Sequence, residues 1–395
     1  MTERLYYGDS LLAEFEANVT EASADGLRLY LDRTAFYPAS GGQPIDFGHI
    51  DDSEIVDVID EGDRIVHVLS APVTASTVKG RVDMVRRRDH MQQHSGQHLL
   101  SAIFAELLGI QTVSFHMGAE TSTIDLQVTS LDAATIAAVE RRANEAVMEN
   151  RPVIVSYQDA AETTGLRKAS EREGRLRIVA IDGLDRSACG GTHVRSTGEI
   201  GGIQIRKLDK IRGIVRVEFI CGLRTVARTR ADFEALSQIA RSFSSPFDDA
   251  PALTAALIER SMDAEKASSK LAAELAQYKG RELYQQTEPS ADGLRRVYRE
   301  IEKGPAGDDL RALAQSFITN PKAVFVVVTN DPPAVLLAAS TDSGIHAGNV
   351  IKAAVTALGG RGGGSPQMAQ GSIPNGADLP QLKAALPASE RIPFV

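Results

Sequence analysis

The chain has 395 residues, 43% of them hydrophobic, with no Trp and only 5% aromatics, which is apolar material for about two to four aliphatic-cored domains. Fifty-two acidic against 43 basic residues give a net charge of −9, which argues against indiscriminate nucleic-acid binding but is compatible with a basic face. No apolar run reaches membrane-span length, Met1–Leu5 lack a signal-peptide pattern, and two Cys cannot make a disulfide scaffold, so a cytoplasmic protein is expected.

Residues 1–85 read as β. The apolar stretches Leu27–Leu31, Ile55–Ile59 and Ile65–Leu69 are separated by turn signals at Ala24-Asp25-Gly26 and Asp60-Glu61-Gly62-Asp63, the pattern of a small barrel. Over 86–225 an α+β domain is expected. Asp89–Leu108 reads as a helix closed by Gly109, Val113–Val128 as strand, Leu131–Asn150 as an Ala-rich helix and Pro152–Tyr157 as strand, with Leu176–Ala180 and Gly202–Ile220 completing it. Residues 226–288 are helical, with a break at Ser244-Ser245-Pro246. Leu257, Met262, Leu271, Leu275 and Tyr278 follow helical spacing, on a helix that either packs on its own chain or forms a coiled coil with a second subunit. Over 289–395, Leu294–Glu302, Ala323–Val328, Ala334–Ala339 and Gly348–Leu358 alternate helix and strand as a small α/β unit, ending in the glycine run Gly359–Ser365. The fold class expected is α+β multidomain.

Two motifs carry the chemistry. In His94-Ser95-Gly96-Gln97-His98 the histidines are four apart on the first helix and lie on one face. Cys189-Gly190-Gly191-Thr192-His193 adds a thiol and a third imidazole on a loop that glycine lets turn tightly. His94, His98, Cys189 and His193 together make a ligand set suited to Zn²⁺, with His90 one turn away as a neighbour and Asp185 and Arg186 near the loop. Four ligands either close the site or include one that yields to water or substrate. Ser95 stands where a zincin protease needs Glu, so the protease reading fails at its general base. Cys221, in an apolar stretch, reads as a core residue. Basic residues flank the motifs: Arg86-Arg87-Arg88 before the first, Arg167, Lys168, Arg172, Arg175 and Arg177 before the second, and Arg206, Lys207, Lys210, Arg212 and Arg216 after it. Arg86, Arg87, Arg206, Lys207, Lys210 and Arg212, with Arg361 in the glycine run, are the expected phosphate contacts.

At these residues the sequence resembles a known family. Met91–Ser101 is similar to the first zinc motif of the alanyl-tRNA synthetase editing domain, and Cys189–Val194 with Thr197–Gly201 to the second. Phe36–Pro44 resembles the glycine-rich loop upstream of that domain. The Ala/Glu/Lys helix and the terminal glycine run resemble the synthetase's C-terminal, DHH-associated region. Nothing resembles the aminoacylation core. The resemblance therefore implies a freestanding editing protein of the AlaX type in its long form: a barrel over 1–85, an α/β two-layer editing domain over 86–225, a coiled-coil-like linker over 226–288 that offers a homodimer contact, and a DHH-associated domain over 289–395. Such proteins hydrolyse, in trans, the ester of tRNA(Ala) mischarged with serine or glycine. Ester hydrolysis needs a positioned water and stabilisation of an oxyanion, for which Zn²⁺ and the amides of Gly190 and Gly191 are candidates. Alternation puts Thr112, Ser114 and His116 on one face of the strand where the resemblance places polar pocket residues. Hydrogen bonding to the serine hydroxyl would reject an alanyl ester. The competing readings are a non-catalytic tRNA- or RNA-binding protein with structural zinc, and a DHH-type phosphoesterase, whose carboxylate-rich metal motifs are absent because Asp89-His90-Met91 is not Asp-His-His.

Overall fold

The structure is a computed structural model that describes residues 1–171 and 173–387. Arg172 and residues 388–395 of the expected C-terminal domain lie outside the described residues. The chain packs as two units, the first Met1–Ser242 and the second from Phe243 onward.

The first unit opens with a closed barrel of Glu14–Ala22 (β1), Arg28–Leu31 (β2), Gly48–Ile50 (β3), Ser53–Asp60 (β4), Ile65–Leu69 (β5) and Thr77–Val82 (β6), in the order β1-β2-β5-β4-β3-β6. Alternation closes it. Along β1, Phe15 and Ala17 turn inward while Glu14, Glu16 and Asn18 face solvent, and the inward residues pack with Leu29, Leu31, Ile50, Val58 and Val78.

Met84–Leu108 (α1) leaves the barrel directly. It begins at Met84 rather than Asp89 because the Asp83 carboxylate caps it, accepting from the amides of Val85 and Arg86. Gly109, at φ 66°, ends it in the left-handed conformation that favours glycine. Nearly every residue from Arg87 to Phe104 is buried, so α1 is the axis of the unit.

The stretch expected as one strand over Val113–Val128 is two, Thr112–Met117 (β7) and Ser122–Leu126 (β8). They turn where the Gly118 amide bonds the Thr121 carbonyl at 2.9 Å. Ala133–Met148 (α2), Val153–Asp159 (β9), Arg175–Ile181 (β10) and Asp185–Ala188 (β11) follow. Gly202–Ile220 is likewise a hairpin, of Ile203–Ile211 (β12) and Ile214–Cys221 (β13), and Leu223–Ser242 (α3) ends the unit. The sheet β12-β13-β8-β7 shares one core with α1 and α2, built on Leu99, Leu100, Ile103, Phe104, Ile124, Val139 and Phe219. Cys221 is fully buried there, in the core position expected of it. The second sheet, β9-β10-β11, delivers the chain straight into Cys189.

In the second unit Ala250–Gln286 (α4) is a 37-residue helix. Leu257, Met262, Leu271, Leu275 and Tyr278 are exposed along it rather than packed on the chain. Arg295–Ile301 (β14) is a strand, Asp308–Phe317 (α5) a helix, and Ala323–Asn330 (β15), Pro333–Ala339 (β16), Ala347–Thr356 (α6), Arg361–Gly364 (β17) and Met368–Ser372 (β18) complete a sheet in the order β14-β15-β16-β18-β17. The glycine run is therefore a paired edge strand, Arg361 opposite Ser372 and Gly364 opposite Ala369. The architecture is the expected α+β multidomain one, with a barrel, a helical segment and a C-terminal α/β sheet domain. Among the described residues no helix is long and apolar enough to cross a membrane.

Candidate metal centre

Helix α1 and the loop after β11 bring one ligand atom each from His94, His98, Cys189 and His193 within 4.8 Å of one another. The i, i+4 spacing stacks His94 over His98, ring centroids 5.3 Å apart, and His193 closes on them at 4.5 and 4.7 Å. Cys189 Sγ lies 3.5 Å from His94 Nε2 and 3.3 Å from His193 Nε2. His90 stands outside the cluster, buried, with Nδ1 unpartnered among the described residues. An ideal Cβ on Gly191 would fall 2.1 Å from His94 Cε1, so only glycine lets the loop come this near the imidazole.

Every imidazole in the cluster has its Nδ1 engaged by an oxygen: His94 by Gln43 Oε1 at 2.8 Å, His98 by Asp185 Oδ2 at 2.8 Å, and His193 by Ser95 Oγ at 3.1 Å. With Nδ1–H donating outward, each Nε2 is left with its lone pair toward the cluster, the tautomer a metal requires. Ser95, which removes the zincin reading, thus has a positioning contact, and it also accepts from the Val194 amide at 3.1 Å. Burial alone would raise the Cys189 thiol, but His94 and His193 outweigh it and hold the group well below the ordinary thiol range. Burial also opposes ionisation of Asp185, yet His98 and Arg167 keep its carboxyl at about 2. One thiolate and three oriented imidazoles are a donor set that fits Zn²⁺.

His94, His98 and Cys189 line a cleft of about 720 Å³ together with Tyr7, Tyr37, Gln97, Thr112, Ser114 and Gly190. His116 is not part of its lining. Ser114 and His116 keep the shared face, opposite Asp125 and Thr123, but a bulge at Val113 takes Thr112 off it, opposite Leu126. Ser114 donates to Asp125 at 2.6 Å, and Arg216 grips the same carboxylate at 2.7 Å. His116 is exposed. Phe115, not one of the expected residues, stacks on His94 at 5.4 Å. Thr112 is buried and donates to Ser101 Oγ at 2.8 Å, which also accepts from Gln97 Nε2 at 2.9 Å. The amide of Gly191, expected to meet an oxyanion, is directed at Cys189 Sγ, 3.4 Å away.

Sequence reasoning missed Gln97, Gln43 and the role of Arg177. Gln97 had a signal: it sits one turn from His94 and beside His98. Gln43 lies in the glycine-rich loop and joins His94 to Thr192, donating to Thr192 Oγ1 at 2.8 Å. Arg177 holds the Cys189–His193 loop by its carbonyls, Cys189 at 2.8 Å and Gly191 at 3.0 Å.

The expected phosphate contacts divide. Arg87 is fully buried, bonded to both oxygens of Asp46 and to the carbonyls of Ser10 and Ala35, so it cannot reach a phosphate. Arg86 is half-buried, bonds the Ile45 carbonyl and stacks over Phe47 at 4.2 Å. Arg206 is paired with Asp232 at 2.7 Å. Lys207, Lys210 and Arg212 are exposed on the β12–β13 hairpin, Lys207 beside Asp209 at 3.0 Å. Arg361 is exposed on β17 in the second unit.

Residues 176–218 match the Threonyl and Alanyl tRNA synthetase second additional domain, and residues 294–389 match the DHHA1 domain. The chain thus matches a synthetase-type additional domain, over a span that includes Cys189 and His193, and a DHHA1 domain. It is 33% identical over 405 residues to the alanine–tRNA ligase of Methanoregula boonei, covering 98% of this chain and 43% of that protein. The match to the alanine–tRNA ligase of Pyrococcus furiosus is 32% over 402 residues, again 98% of this chain and 43% of the ligase; the chain spans less than half the length of these ligases. Against the alanyl-tRNA editing protein AlaX-L of Pyrococcus horikoshii it is 29% identical over 395 residues, 94% of this chain and 95% of that protein. The chain is thus similar over nearly its whole length both to alanine–tRNA ligases and to a long-form alanyl-tRNA editing protein.

Proposed function

We propose that this protein is a trans-editing aminoacyl-tRNA hydrolase that cleaves the ester of tRNA(Ala) mischarged with serine, and of its glycyl counterpart, at a zinc site in the translation apparatus. The observation that carries this reading is the convergence of three Nδ1-anchored imidazoles and one thiolate beside a cleft large enough for an aminoacyl ester and part of its nucleoside. His94, His98, Cys189 and His193 would hold the ion. When bound, Zn²⁺ supplies Lewis-acid stabilisation of negative charge.

The chain's own groups do the selecting. Gln97 and Thr112 meet at Ser101 in the wall beside His98, and their polar atoms are the ones offered to a seryl hydroxyl. Both already donate to Ser101, so what they offer is their acceptor oxygens, to which an alanyl ester brings no donor; a lost partner discriminates more strongly than an added favourable contact does. Phe115 seats His94, and Arg177 fixes the loop that carries Cys189. Gly190 lines the cleft beside Tyr7, and its amide is the remaining backbone candidate for the oxyanion. Lys207, Lys210 and Arg212 on the β12–β13 hairpin are the contacts proposed for the tRNA backbone, with Arg361 a further one in the second unit.

The deciding experiment is deacylation by the purified chain of Ser-tRNA(Ala), Gly-tRNA(Ala) and Ala-tRNA(Ala). Release of serine with alanine spared supports the reading. Tight binding with every ester left intact would replace it with a non-catalytic RNA-binding protein holding structural zinc.

A further inference from the structure

We propose that Arg167 is a positioning residue that ties the cleft-lining segment Lys168–Glu171 to the metal ligand His98 through the carboxylate of Asp185. The proposal rests on the metal reading of the tetrad, but not on the identity of the acylated tRNA.

Asp185 has two oxygens with different duties. Oδ2 takes the Nδ1–H of His98 at 2.8 Å, and Oδ1 takes the Nε–H of Arg167 at 2.7 Å. Ser187 Oγ is the third corner: it donates to Asp185 at 3.0 Å and accepts from Arg167 Nη2 at 3.2 Å. The Asp185 side chain is 1% exposed and that of Arg167 13%, so little water competes for these bonds. The Arg167 backbone is docked as well, its amide bonding the Arg186 carbonyl at 2.8 Å, while the Arg186 guanidinium reaches back to the carbonyl of Thr164. Immediately after Arg167, the chain runs along the cleft as Lys168, Ala169, Ser170 and Glu171.

The chemistry follows from this placement. A buried carboxylate that loses its cation is no longer held at Oδ1, so the Oδ2 that accepts from His98 Nδ1–H loses its fixed position and holds the ring and tautomer less firmly. Lysine keeps the charge of Arg167 but not the planar fork that reaches Asp185 and Ser187 together. Because the same arginine begins the cleft-lining segment, an occupant that orders Lys168–Glu171 stabilises the Arg167–Asp185–His98 chain. By linkage, metal and occupant must tighten each other's binding by the same factor.

The test uses the full chain as wild type, Arg167→Ala and Arg167→Lys. Zn²⁺ affinity is measured by chelator competition, with and without a stable 3′-amide-linked seryl adenosine, and circular dichroism monitors the fold. The expected result is a tenfold or greater loss of Zn²⁺ affinity in R167A, partial recovery in R167K, and an analogue-induced gain in affinity in the wild type that R167A lacks. R167A within twofold of wild type, or an equal analogue effect in both, overturns the proposal. If R167A does not fold, R167K decides: several-fold weaker Zn²⁺ binding supports the proposal and wild-type binding sinks it. A wild-type chain that takes up no Zn²⁺ removes the metal reading and this proposal with it. Loss of affinity in R167A beside a wild type that deacylates nothing removes only the substrate reading.

Discussion

Gln43 Oε1 accepts from His94 Nδ1 at 2.8 Å and from the Thr192 amide at 3.2 Å. One side chain on the glycine-rich loop therefore orients a ligand on α1 and braces the loop that carries two more. Replacing it with Ala leaves His94 free to rotate and to present either nitrogen. Gln43→Ala is expected to weaken Zn²⁺ binding by about 10–100-fold, read by chelator competition. An affinity within twofold of wild type would show that Phe115 alone seats the ring.

Gly191→Ala tests the approach of the loop to the helix. The new methyl would overlap the His94 ring, which is also stacked on Phe115 and bonded to Gln43. The expected outcome is a protein that folds but binds metal at well below one equivalent, measured by elemental analysis after dialysis. Full occupancy would mean that the backbone, not the ring, gives way.

Arg87, in the basic run Arg86–Arg88, is not a surface cation but a fully buried one in the first unit's core. Its bonds to Asp46, Ser10 and Ala35 join α1 to the barrel. Arg87→Ala strands the fully buried Asp46 carboxylate and is expected to cost about 3–5 kcal/mol, measured as the shift in urea midpoint at unchanged slope. A loss below about 1 kcal/mol would show that water replaces the guanidinium.

What was legible in the sequence depended on whether chemistry or partnership decided the position. The tetrad could be assembled on paper because its residue types declare their chemistry and i, i+4 spacing fixes a shared face. The barrel was legible from regular turn signals, and Gly109 as a cap from its place after the last apolar residue of α1. The fates of the arginines were not, because burial of Arg87 is decided by Asp46, and the service of Arg177 by carbonyls of a loop that folds back over it. The bulge at Val113 was equally hidden. Nothing in Thr-Val-Ser-Phe-His marks where one extra residue enters, and that residue takes Thr112 off the face expected to hold it with Ser114 and His116.

His67 gives the first unit an acid-sensitive limb. Its ring is fully buried in the barrel, Nε2 2.8 Å from Thr34 Oγ1 and Nδ1 3.3 Å from the Leu29 carbonyl. Burial lowers it from the ordinary 6.5 to about 4. Above pH 6.5 it is neutral folded or unfolded and costs nothing. As pH falls from 6.5 toward 4 the unfolded chain takes up the proton and the folded one does not, so stability declines, by about 3 kcal/mol when the window has been crossed. His90, also lowered to about 4 by burial and by Arg86, adds to the same limb. Urea unfolding between pH 7 and 4 should show this decline, shallower in His67→Asn. An unchanged slope in that variant would assign the limb elsewhere.

Lys207, Lys210 and Arg212 differ from the other expected phosphate contacts in being exposed on one hairpin, and among the described residues only Lys207 of the three has an ion pair, with Asp209. If they contact the tRNA backbone, each change to Ala should weaken binding of different acceptor-stem sequences about equally and reduce the slope of log affinity against log salt by about 1. Fold and Zn²⁺ content should not move, because none of the three is buried or touches the metal cluster. Arg206→Ala is the contrasting control: its guanidinium is tied to Asp232 at 2.7 Å, so a smaller change in salt slope is expected there. Filter-binding titrations from 50 to 300 mM KCl separate these outcomes. A triple variant that retains wild-type affinity and slope would move the tRNA path off this hairpin.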